Sequence, residues 1–343
     1  MNRVLPICVL LTILITGWLY AQPAQIRVRL FSVEQPSEVR ITTPDGQAVL
    51  LDAGKDARKD TGKIFRSEGP VTILRAGGEA VRVPYPIEVS ARKGALVIIT
   101  ELPLEDYVAA VLAGESSGFR AEESLKAMAV AARTWAVHFL NRHKTEGFDF
   151  CDTTHCQDFR VTALSTRLRK AVEATSNEVL RYDGRPIPAY YHQDCGGITE
   201  PRAPYLGQLR DSFCVSRGRS KWSAELTSSD LRSALGLTEI YGIEVVERTS
   251  SGRAQRLRIT GSGSRMIDAE AFRLAIGRTL GWNKIRSDLY ELRRSGDHFI
   301  FEGAGAGHGI GLCQTGAAVM GERGYTYKEI LAYYYPNTTL APY

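Results

Sequence analysis

The stretch that decides the fold opens with Leu102-Pro-Leu-Glu-Asp-Tyr-Val-Ala-Ala-Val-Leu-Ala-Gly-Glu115 and ends at Gln157. The apolar residues of its first part recur at helical spacing, namely Leu104, Tyr107, Val108, Val111 and Leu112. Pro103 suits a first helical turn, and Gly114 weakens the helix next to Glu115. Because a helix C-terminus carries partial negative charge, it disfavours an ionised carboxylate there. We therefore expect Glu115 to keep a proton near neutral pH and to serve as a general acid.

A second helix is predicted from about residue 121 to residue 140. An apolar stripe typical of a core helix runs along it, made by Leu125, Met128, Ala129, Ala132, Trp135, Ala136 and Phe139. Lys126 and Arg133 interrupt this pattern and, being seven residues apart, share one face of the helix. Either the two cations reach solvent or pair with a carboxylate, or they line the same cleft as Glu115.

Two thiols and an imidazole lie within six positions in the segment Cys151-Asp-Thr-Thr-His155-Cys156. They can ligate zinc, close a small disulfide loop or simply pack. A closed structural zinc site needs four ligands, so a fourth would come from water, from Glu115, from His143 or from a distant residue. The residues alone leave these alternatives open.

The start of the chain has the pattern of an export signal. Arg3 precedes an almost wholly apolar run from Val4 to Tyr20, and the small residue Ala21 follows. This pattern predicts a signal peptide over residues 1–21, cleaved after Ala21. An uncleaved membrane anchor is the alternative, since the run is nearly long enough to span a bilayer. In both cases we expect the remainder in the periplasm, the cell envelope or outside the cell, where thiols can be oxidised.

The overall charge is mildly positive. The 343 residues include 43 Lys and Arg against 38 Asp and Glu. This excess is too small to predict nucleic-acid binding, although it suits a polyanionic cell wall. About 320 residues remain after the predicted signal, enough for one large domain or two modest ones.

Residues 22–91 have β patterns throughout. Short runs rich in β-branched residues are separated by turn signals such as Pro44-Asp45-Gly46. We interpret this part as a β-rich portion that presents or shields the site, with its boundary near Arg92. A denser run, Ala95-Leu-Val-Ile-Ile-Thr100, predicts a central strand. We expect residues 92–343 to form one catalytic body of helices and antiparallel-rich sheet, which makes the fold class α+β.

A hairpin is predicted to end at His192. Residues 179–182 form its first strand, and residues 187–192 form the second. Gly196 and Gly197 follow, where backbone can approach a ligand closely. His192 then either touches a ligand or is hydrogen-bonded within the core.

Three further cysteines occur in the second half of the chain. Cys195 and Cys214 either form a disulfide, which an exported location permits, or remain unpaired. In the second case Cys195 is a small buried residue, and Cys313 is unpaired as well.

Glycine occupies every second position in the segment Gly303-Ala-Gly-Ala-Gly-His308-Gly-Ile-Gly311. The spacing fits neither the Rossmann fingerprint nor the Walker loop, so we do not expect nucleotide binding. Alternate glycines let a strand or loop lie flat beneath an extended polymer, which leaves His308 as the side chain that touches it. A helix is predicted to begin at Gln314, and a capping box at Thr326 opens the last helix.

These motifs together resemble those of the stage II sporulation protein D family, which includes the LytB proteins. The resemblance extends roughly from Ile26 to the C-terminus. The segments that carry it are Leu102-Pro-Leu-Glu-Asp-Tyr-Val108, Leu125-Lys-Ala-Met-Ala-Val-Ala-Ala-Arg-Thr-Trp135, Cys151-Asp-Thr-Thr-His-Cys-Gln157, Tyr191-His-Gln-Asp-Cys-Gly-Gly197 and Gly307-His-Gly-Ile-Gly-Leu-Cys-Gln314.

The resemblance implies a lytic transglycosylase that cleaves the MurNAc–GlcNAc bond of peptidoglycan and leaves 1,6-anhydro-MurNAc ends, on strands poor in stem peptides. Glu115 matches the family's catalytic glutamate. The segment with Cys151, His155 and Cys156 is similar to the family's metal-binding segment, which implies zinc. The substrate-binding residues would be Lys126, Arg133, His192, His308 and Gln314.

Two points qualify the resemblance. Cys195 stands where the family pattern has a hydroxyl residue, so a role for that hydroxyl does not transfer. The LytB branch is described as an enhancer of cell-wall amidases, which gives a second prediction: a non-catalytic protein that binds glycan strands and recruits an amidase. The presence of Glu115, Lys126 and Arg133 favours the enzyme.

Overall fold

The computed structural model describes residues 25–56, 62–162, 164–218 and 220–343. Within these residues, helices are combined with several mostly antiparallel sheets, which confirms the predicted α+β fold. The export signal predicted over residues 1–21 lies outside the described part. Among the helices of the described part, none is both long and apolar enough to cross a membrane.

Strands dominate the described residues up to residue 103. In chain order these elements are β1 (Gln25–Leu30), β2 (Glu38–Thr42), β3 (Ala48–Asp52), the short helix α1 (Ala53–Asp56), β4 (Lys63–Ser67), β5 (Val71–Arg75), β6 (Val81–Val83), β7 (Ile87–Arg92) and β8 (Ala95–Pro103). A four-stranded sheet has the order β3-β2-β5-β6. A five-stranded sheet has the order β4-β7-β8-β1, followed by β9 (Phe150–Cys151). The predicted central strand, β8, therefore lies in the middle of its sheet. Because β7 and β8 form a hairpin in this sheet, the sheet continues past residue 92 into the part that carries Glu115.

The two predicted helices of the fold-deciding stretch are α2 (Leu104–Glu115) and α3 (Glu122–His138), which pack against each other. The apolar positions predicted for α2 are buried, as are those of α3 up to Ala136. Pro103 ends β8 and caps α2, so the central strand leads directly into this helix. Glu115 is the last residue of α2, as predicted.

The remaining elements follow in chain order. They are a 3-10 helix (Lys144–Glu146), α4 (Thr166–Glu173), β10 (Glu178–Tyr182), β11 (Arg185–Pro186), β12 (Tyr191–His192), α5 (Ser212–Ser216), β13 (Lys221–Thr227), α6 (Ser228–Leu235), β14 (Gly242–Arg248), β15 (Ala254–Thr260), β16 (Ser264–Asp268), α7 (Ala269–Leu280), β17 (Tyr290–Ser295), β18 (His298–Ala304), β19 (Leu312–Cys313), α8 (Gln314–Glu322), α9 (Tyr327–Tyr334) and β20 (Thr339–Pro342). The capping box predicted at Thr326 is present at the start of α9.

The described residues form two hydrophobic clusters. The larger cluster contains the N-terminal sheets, α2 and α3, and it extends to α8 and α9. The second cluster lies within residues 222–301 and includes Trp222, Phe272 and Phe301. Two three-stranded sheets build the second cluster, with the orders β13-β18-β17 and β14-β15-β16, and α6 and α7 pack with them. The segment expected to form one body after residue 92 thus contributes to both clusters.

The strand that ends at His192 does not pair as the sequence predicts. β10 pairs with β11 and β20, whereas β12 pairs in parallel with β19. The N–H of Ile187 still donates to the carbonyl oxygen of Leu180 in β10 at 3.1 Å, so the predicted hairpin over residues 179–192 is wrong beyond Ile187. Pro188 has no N–H group to continue the ladder, which ends the pairing with β10. As a result, Tyr191 pairs with Leu312 in β19, two residues before Gln314.

Candidate functional site

Glu115 lies half-buried at the C-terminal end of α2, where three other segments meet it. The backbone N–H of Asp158 donates to Oε1 at 3.0 Å, and the Tyr191 hydroxyl lies 3.5 Å from the same oxygen. The amide Nε2 of Gln314 lies 3.4 Å from Oε2. Hydrogen-bond donors therefore face both oxygens of this carboxyl group.

Gly114 permits the close approach that forms this site. A Cβ atom at Gly114 would lie 2.2 Å from the carbonyl oxygen of Asp158, far inside van der Waals contact. The loop is tied to the same helix by the N–H of Arg160, which donates to the carbonyl oxygen of Ala110 at 3.0 Å. Gly114 lies within α2 and does not end the helix, so its role is to let the loop at Asp158 pack on α2.

The pKa of Glu115 is raised above its ordinary value. Burial is the largest cause, and the hydrogen bonds from the Asp158 N–H, Gln314 and Tyr191 act in the opposite direction. The carboxylate of Asp158 raises the pKa further through charge repulsion. The direction agrees with the expectation from the sequence, whereas the main cause is burial and not the helix C-terminus.

A line of hydrogen bonds leads to Glu115 from the core. The Tyr107 hydroxyl donates to Oε1 of Gln157 at 2.9 Å, and Nε2 of Gln157 donates to the Tyr191 hydroxyl at 2.8 Å. Gln157 is only 1% exposed, and burial raises the pKa of both tyrosines well above the ordinary value. Both therefore remain protonated, and Tyr191 directs its proton to Glu115.

Tyr107, Gln157 and Tyr191 were not predicted to belong to the site. The sequence indicates Tyr107 only as an apolar position of α2, and Gln157 and Tyr191 only as parts of longer motifs. A signal was present, because a tyrosine on a buried helix face needs a partner for its hydroxyl. The identity of that partner depends on the tertiary fold.

The two cations of α3 do not contact Glu115. Arg133 is 0% exposed, and its guanidinium binds Glu105 with nitrogen–oxygen distances of 2.9 and 2.6 Å. Glu105 lies ten residues before Glu115 on α2, about 15 Å along the helix. Nζ of Lys126 lies 2.6 Å from Glu123.

These pairs correct the expectation that Lys126 and Arg133 line a cleft with Glu115. The alternative interpretation, in which each cation pairs with a carboxylate, describes both. A guanidinium as buried as that of Arg133 requires a charge partner and further acceptors. The carbonyl oxygens of Val172 and Glu178 supply such acceptors, each at 3.2 Å.

His192 belongs to the core. Its Nδ1 lies 3.0 Å from the carbonyl oxygen of Ile310, and burial lowers its pKa well below the ordinary value. Side chains alternate along a strand, so Tyr191 points to Glu115 while the next residue points away. His192 is therefore hydrogen-bonded within the core, which corrects the prediction that it contacts a substrate.

The glycine segment packs against the protein itself and not flat beneath a polymer. Four of its glycines have positive φ angles: Gly305 (+81°), Gly307 (+96°), Gly309 (+79°) and Gly311 (+72°). A Cβ atom at Gly311 would lie 2.0 Å from the carbonyl oxygen of Tyr190, and one at Gly309 would lie 2.4 Å from the Arg253 guanidinium. The glycines are therefore needed for backbone conformation and for close internal contacts.

His308 is half-buried within that segment. Its Nδ1 accepts a hydrogen bond from the Ile310 N–H at 3.0 Å, and its ring lies 5.6 Å from the ring of His192, centre to centre. Burial lowers the pKa of His308 to about 4, so the ring is neutral near pH 7. Of the five predicted substrate-binding residues, Gln314 is the one that the structure brings to Glu115.

The cysteine segment forms a compact group of possible ligands together with His143. The ligand atoms of His143, Cys151, His155 and Cys156 lie within 4.8 Å of one another. Nδ1 of His155 is 3.5 Å from Sγ of Cys151 and 3.7 Å from Sγ of Cys156, and Nε2 of His143 is 3.5 Å from Sγ of Cys156. A hydrogen bond from the Cys156 thiol lowers the pKa of Cys151 to about 4, which favours a thiolate there.

Carboxylates hold this group in place. Asp149 accepts a hydrogen bond from the N–H of Arg27 at 2.8 Å, and Asp152 accepts one from the N–H of Ser32 at 3.1 Å, so both acids fix the segment against the chain at β1. Oε1 of Glu146 lies 2.7 Å from Nδ1 of His143, which leaves Nε2 of that ring facing the cysteines. Glu115, the other named candidate for a fourth ligand, does not belong to the group.

The thiols of the described residues are not joined by disulfides. This holds for the predicted alternatives of a bridge between Cys151 and Cys156 and of a bridge between Cys195 and Cys214. Cys195, Cys214 and Cys313 instead lie in a second, fully buried group with Asp211.

Two family models match the chain. A model described as stage II sporulation protein matches residues 92–182, which include α2, α3 and the cysteine segment. A model described as a domain of unknown function matches residues 215–311, which include the second hydrophobic cluster.

Similar proteins are known from several bacteria. Stage II sporulation protein D of Bacillus subtilis is 28% identical over 315 residues, covering 82% of this chain and 88% of that protein. An uncharacterized protein of Brachyspira hyodysenteriae is 30% identical over 298 residues, covering 82% and 77% of the two chains. An amidase enhancer of Bacillus subtilis is 27% identical over 279 residues, covering 64% of this chain but 38% of its own length.

Proposed function

Because the chain belongs to the stage II sporulation protein D family, we propose that it is a lytic transglycosylase of peptidoglycan with Glu115 as its single acid and base. Family membership supports a role at the cell wall, in line with the similarity to an amidase enhancer. The observation that carries the finer proposal is the state of Glu115: one half-buried carboxyl group with a raised pKa and hydrogen-bond donors on both oxygens.

The reaction needs one carboxyl group, whereas glycoside hydrolases generally use two. Protonated Glu115 donates its proton to the oxygen that bridges MurNAc and GlcNAc while the bond from C1 of MurNAc to that oxygen breaks. The carboxylate then accepts the proton of the C6 hydroxyl of the same MurNAc, and that oxygen bonds to C1. The products are a free GlcNAc hydroxyl and a 1,6-anhydro ring, and no water is consumed.

The contacts of Glu115 suit both stages of this reaction. Burial keeps the proton on the carboxyl group before the bond breaks. Once the proton has left, the Asp158 N–H, Tyr191 and Gln314 donate to the carboxylate and stabilise it. Gln314 therefore acts on Glu115, and its predicted contact with substrate stays a prediction.

Asp158 also carries a carboxyl group close to Glu115, so its role has to be distinguished from that of Glu115. Its side chain pairs with Arg160 at 2.9 Å, and it supports Glu115 through its backbone N–H. A charged carboxylate with a cation partner is a poor general acid. Asp158 would matter as a side chain only if the enzyme were a hydrolase with two carboxyl groups.

Product analysis tests this assignment. The mature protein, without residues 1–21, is incubated with peptide-stripped glycan strands, and the products are identified by mass spectrometry. We expect anhydro-ended fragments from the wild type and at least about a hundredfold less from Glu115→Gln. Asp158→Asn is the matched control and should still give anhydro ends, since its backbone N–H remains. Hydrolysed, reducing MurNAc ends as the main product would contradict the proposal.

We further propose that His143, Cys151, His155 and Cys156 hold a structural zinc ion. In a tetrahedral site with zinc–sulfur bonds of about 2.3 Å and zinc–nitrogen bonds of about 2.0 Å, sulfur and nitrogen lie about 3.5 Å apart. Three of the four sulfur–nitrogen distances are 3.5, 3.5 and 3.7 Å, and all four ligand atoms lie within 4.8 Å of one another. Glu146 on the far side of the His143 ring is the usual partner of a zinc-binding imidazole. Four protein ligands leave no open position, so the ion would stabilise the loop that carries Gln157 and Asp158.

Metal analysis tests the zinc proposal. Protein purified without chelator or nickel resin should contain zinc, and Cys156→Ser should lower the content by one ion per chain. An unchanged zinc content in that variant, or a disulfide between Cys151 and Cys156 in peptide mapping, would contradict the assignment.

A second candidate function is a non-catalytic amidase enhancer that binds glycan. The similarity to a protein of that name favours it. The two candidates make opposite predictions for Glu115→Gln: an enhancer should still stimulate a cell-wall amidase when this acid is lost, and neither form should give anhydro ends.

A further inference from the structure

A second group of ligand atoms lies apart from the cysteine segment. Cys195, Asp211, Cys214 and Cys313 are each 0% exposed, and their ligand atoms lie within 4.8 Å of one another. They come from three places in the chain: the turn after β12, the start of α5 and the end of β19. The predicted disulfide between Cys195 and Cys214 would use only two of these groups.

Backbone N–H groups face two of the sulfur atoms. The N–H of Cys195 lies 3.3 Å from Sγ of Cys313, which also receives the N–H of Gly316 at 3.5 Å. The N–H of Gly197 lies 3.4 Å from Sγ of Cys195. Donors aimed at sulfur stabilise the thiolate, which is the form that binds metals.

Asp211 is held with its carboxylate in the group. Oδ1 accepts the N–H of Cys214 at 2.9 Å, and Oδ2 accepts the hydroxyl of Tyr334 at 2.8 Å. Sγ of Cys195 lies 3.5 Å from Oδ2. Gly316 leaves the space for this arrangement, because a Cβ atom there would lie 2.5 Å from Oδ2 of Asp211.

A buried positive charge lies beside the group. Arg253 is 2% exposed and donates to the carbonyl oxygens of Cys195 and Ile198 at 2.8 and 3.0 Å. It forms no ion pair with a carboxylate of the described residues, since its other contact is to the Ser251 hydroxyl at 2.9 Å. Three thiolates and one carboxylate around a divalent ion would carry a net negative charge, and Arg253 would offset part of it.

From this arrangement we propose that Cys195, Cys214, Cys313 and Asp211 bind a second structural zinc ion. Three sulfurs and one carboxylate oxygen make a four-coordinate set of the kind that zinc accepts, and soft thiolate ligands exclude magnesium and calcium. The three thiols give up their protons to solvent as the metal binds. A disulfide between two of the three cysteines would leave the third as a free thiol, which could exchange with that bond. A metal ion binds all four groups.

This ion would support the site around Glu115. Cys313 pairs with His192 in the β12–β19 ladder and directly precedes Gln314. Tyr191 lies in β12, and Gln314 begins α8 directly after β19, so both donors that face Glu115 are positioned by the two strands next to the ion. The proposal goes beyond the catalytic assignment and does not depend on it.

Zinc content in matched variants tests the proposal. The mature protein, purified without chelator or nickel resin, should contain two zinc ions per chain when both sites are filled. Cys214→Ser should remove one ion and leave the ion that Cys156→Ser removes. The double variant should contain none. Retention of all zinc in Cys214→Ser, or its complete loss in Cys156→Ser alone, would overturn the second site.

A measurement on the unmodified protein covers the case in which Cys214→Ser does not fold. X-ray absorption at the zinc edge should show a mean of two and a half sulfurs per zinc when both sites are filled, and two when only the cysteine segment binds metal. A disulfide between any two of Cys195, Cys214 and Cys313 in peptide mapping of the native protein would also overturn the proposal. Neither experiment measures glycan cleavage, so the second zinc site and the catalytic role of Glu115 can be disproved independently.

Discussion

At the scale of single residues, the proposed reaction requires Glu115 to release a proton and then take one up. Burial raises its pKa, while the Tyr191 hydroxyl donates to the carboxylate and lowers it. The acid stage requires the protonated form, so the rate should fall as the pH rises through this pKa. Tyr191→Phe removes a hydrogen bond to the charged form and thereby raises the pKa further. We therefore expect the falling limb of the pH–rate profile to move to higher pH by up to about one unit.

The profile of kcat/KM against pH on peptide-stripped strands measures this shift. Tyr190→Phe is the matched control, because the neighbouring hydroxyl is not among the donors to Glu115. Its profile should keep the midpoint of the wild type. A limb that moves to lower pH in Tyr191→Phe would show that the hydroxyl does not stabilise the carboxylate.

The sequence predicted the position of Glu115 at a helix end, because this feature is local, and the role of Glu115 as the acid stays a prediction. The sequence did not reveal that Arg133 binds a carboxylate in the core and is not a substrate-binding residue. The position of a cation on a helix face is set by spacing, but its partner is set by packing. Glu105 lies 28 positions before Arg133, and only the contact between α2 and α3 brings them together. The assignment of His192 failed for the same reason, since the acceptor Ile310 is 118 positions away.

At the scale of elements, the contact between α2 and the loop at Asp158 depends on Gly114. Replacement of a helical glycine by alanine usually stabilises a helix by about 0.5–1 kcal/mol. Here the new Cβ atom would lie 2.2 Å from a backbone oxygen, which cannot move aside as a flexible side chain can. We expect Gly114→Ala to lower the free energy of unfolding by about 1–3 kcal/mol and to move the Asp158 N–H away from Glu115.

Urea denaturation followed by circular dichroism measures the change in stability. Gly118→Ala is the control, because a Cβ atom there would have no heavy atom of the described residues within 4 Å other than those of its chain neighbours. Its free energy of unfolding should stay within about 0.5 kcal/mol of the wild type. A stabilised Gly114→Ala would mean that the loop does not pack on the helix as described.

The regular elements were easier to predict from the sequence than their pairing. The helices α2 and α3 follow from a 3.6-residue period, and β8 follows from a dense run of β-branched residues. The partner of β12 is β19, which lies about 120 positions later and has no local signature. The glycines before β19 were recognised, but their role in close internal packing becomes clear only when Tyr190 and Arg253 are in place.

At the scale of the whole molecule, the two hydrophobic clusters meet along the glycine segment. Ala306 exchanges backbone hydrogen bonds with Asp194 in the part that belongs to the larger cluster. The N–H of Gly307 donates to the carbonyl oxygen of Arg286, near the second cluster. Arg253, immediately before β15, adds side-chain contacts from the second cluster to the turn at Cys195. The stability of the molecule should therefore depend on this one buried guanidinium.

Replacement of Arg253 by methionine keeps a long side chain and removes the donors. The carbonyl oxygens of Cys195 and Ile198 would then be buried without their present partner, and each such group costs about 1–3 kcal/mol. We expect Arg253→Met to lower the free energy of unfolding by about 2 kcal/mol or more, measured by urea denaturation. Arg256→Met in the exposed face of β15 is the control and should change it by no more than about 0.5 kcal/mol. Equal stability of the two variants would show that Arg253 does not hold the clusters together.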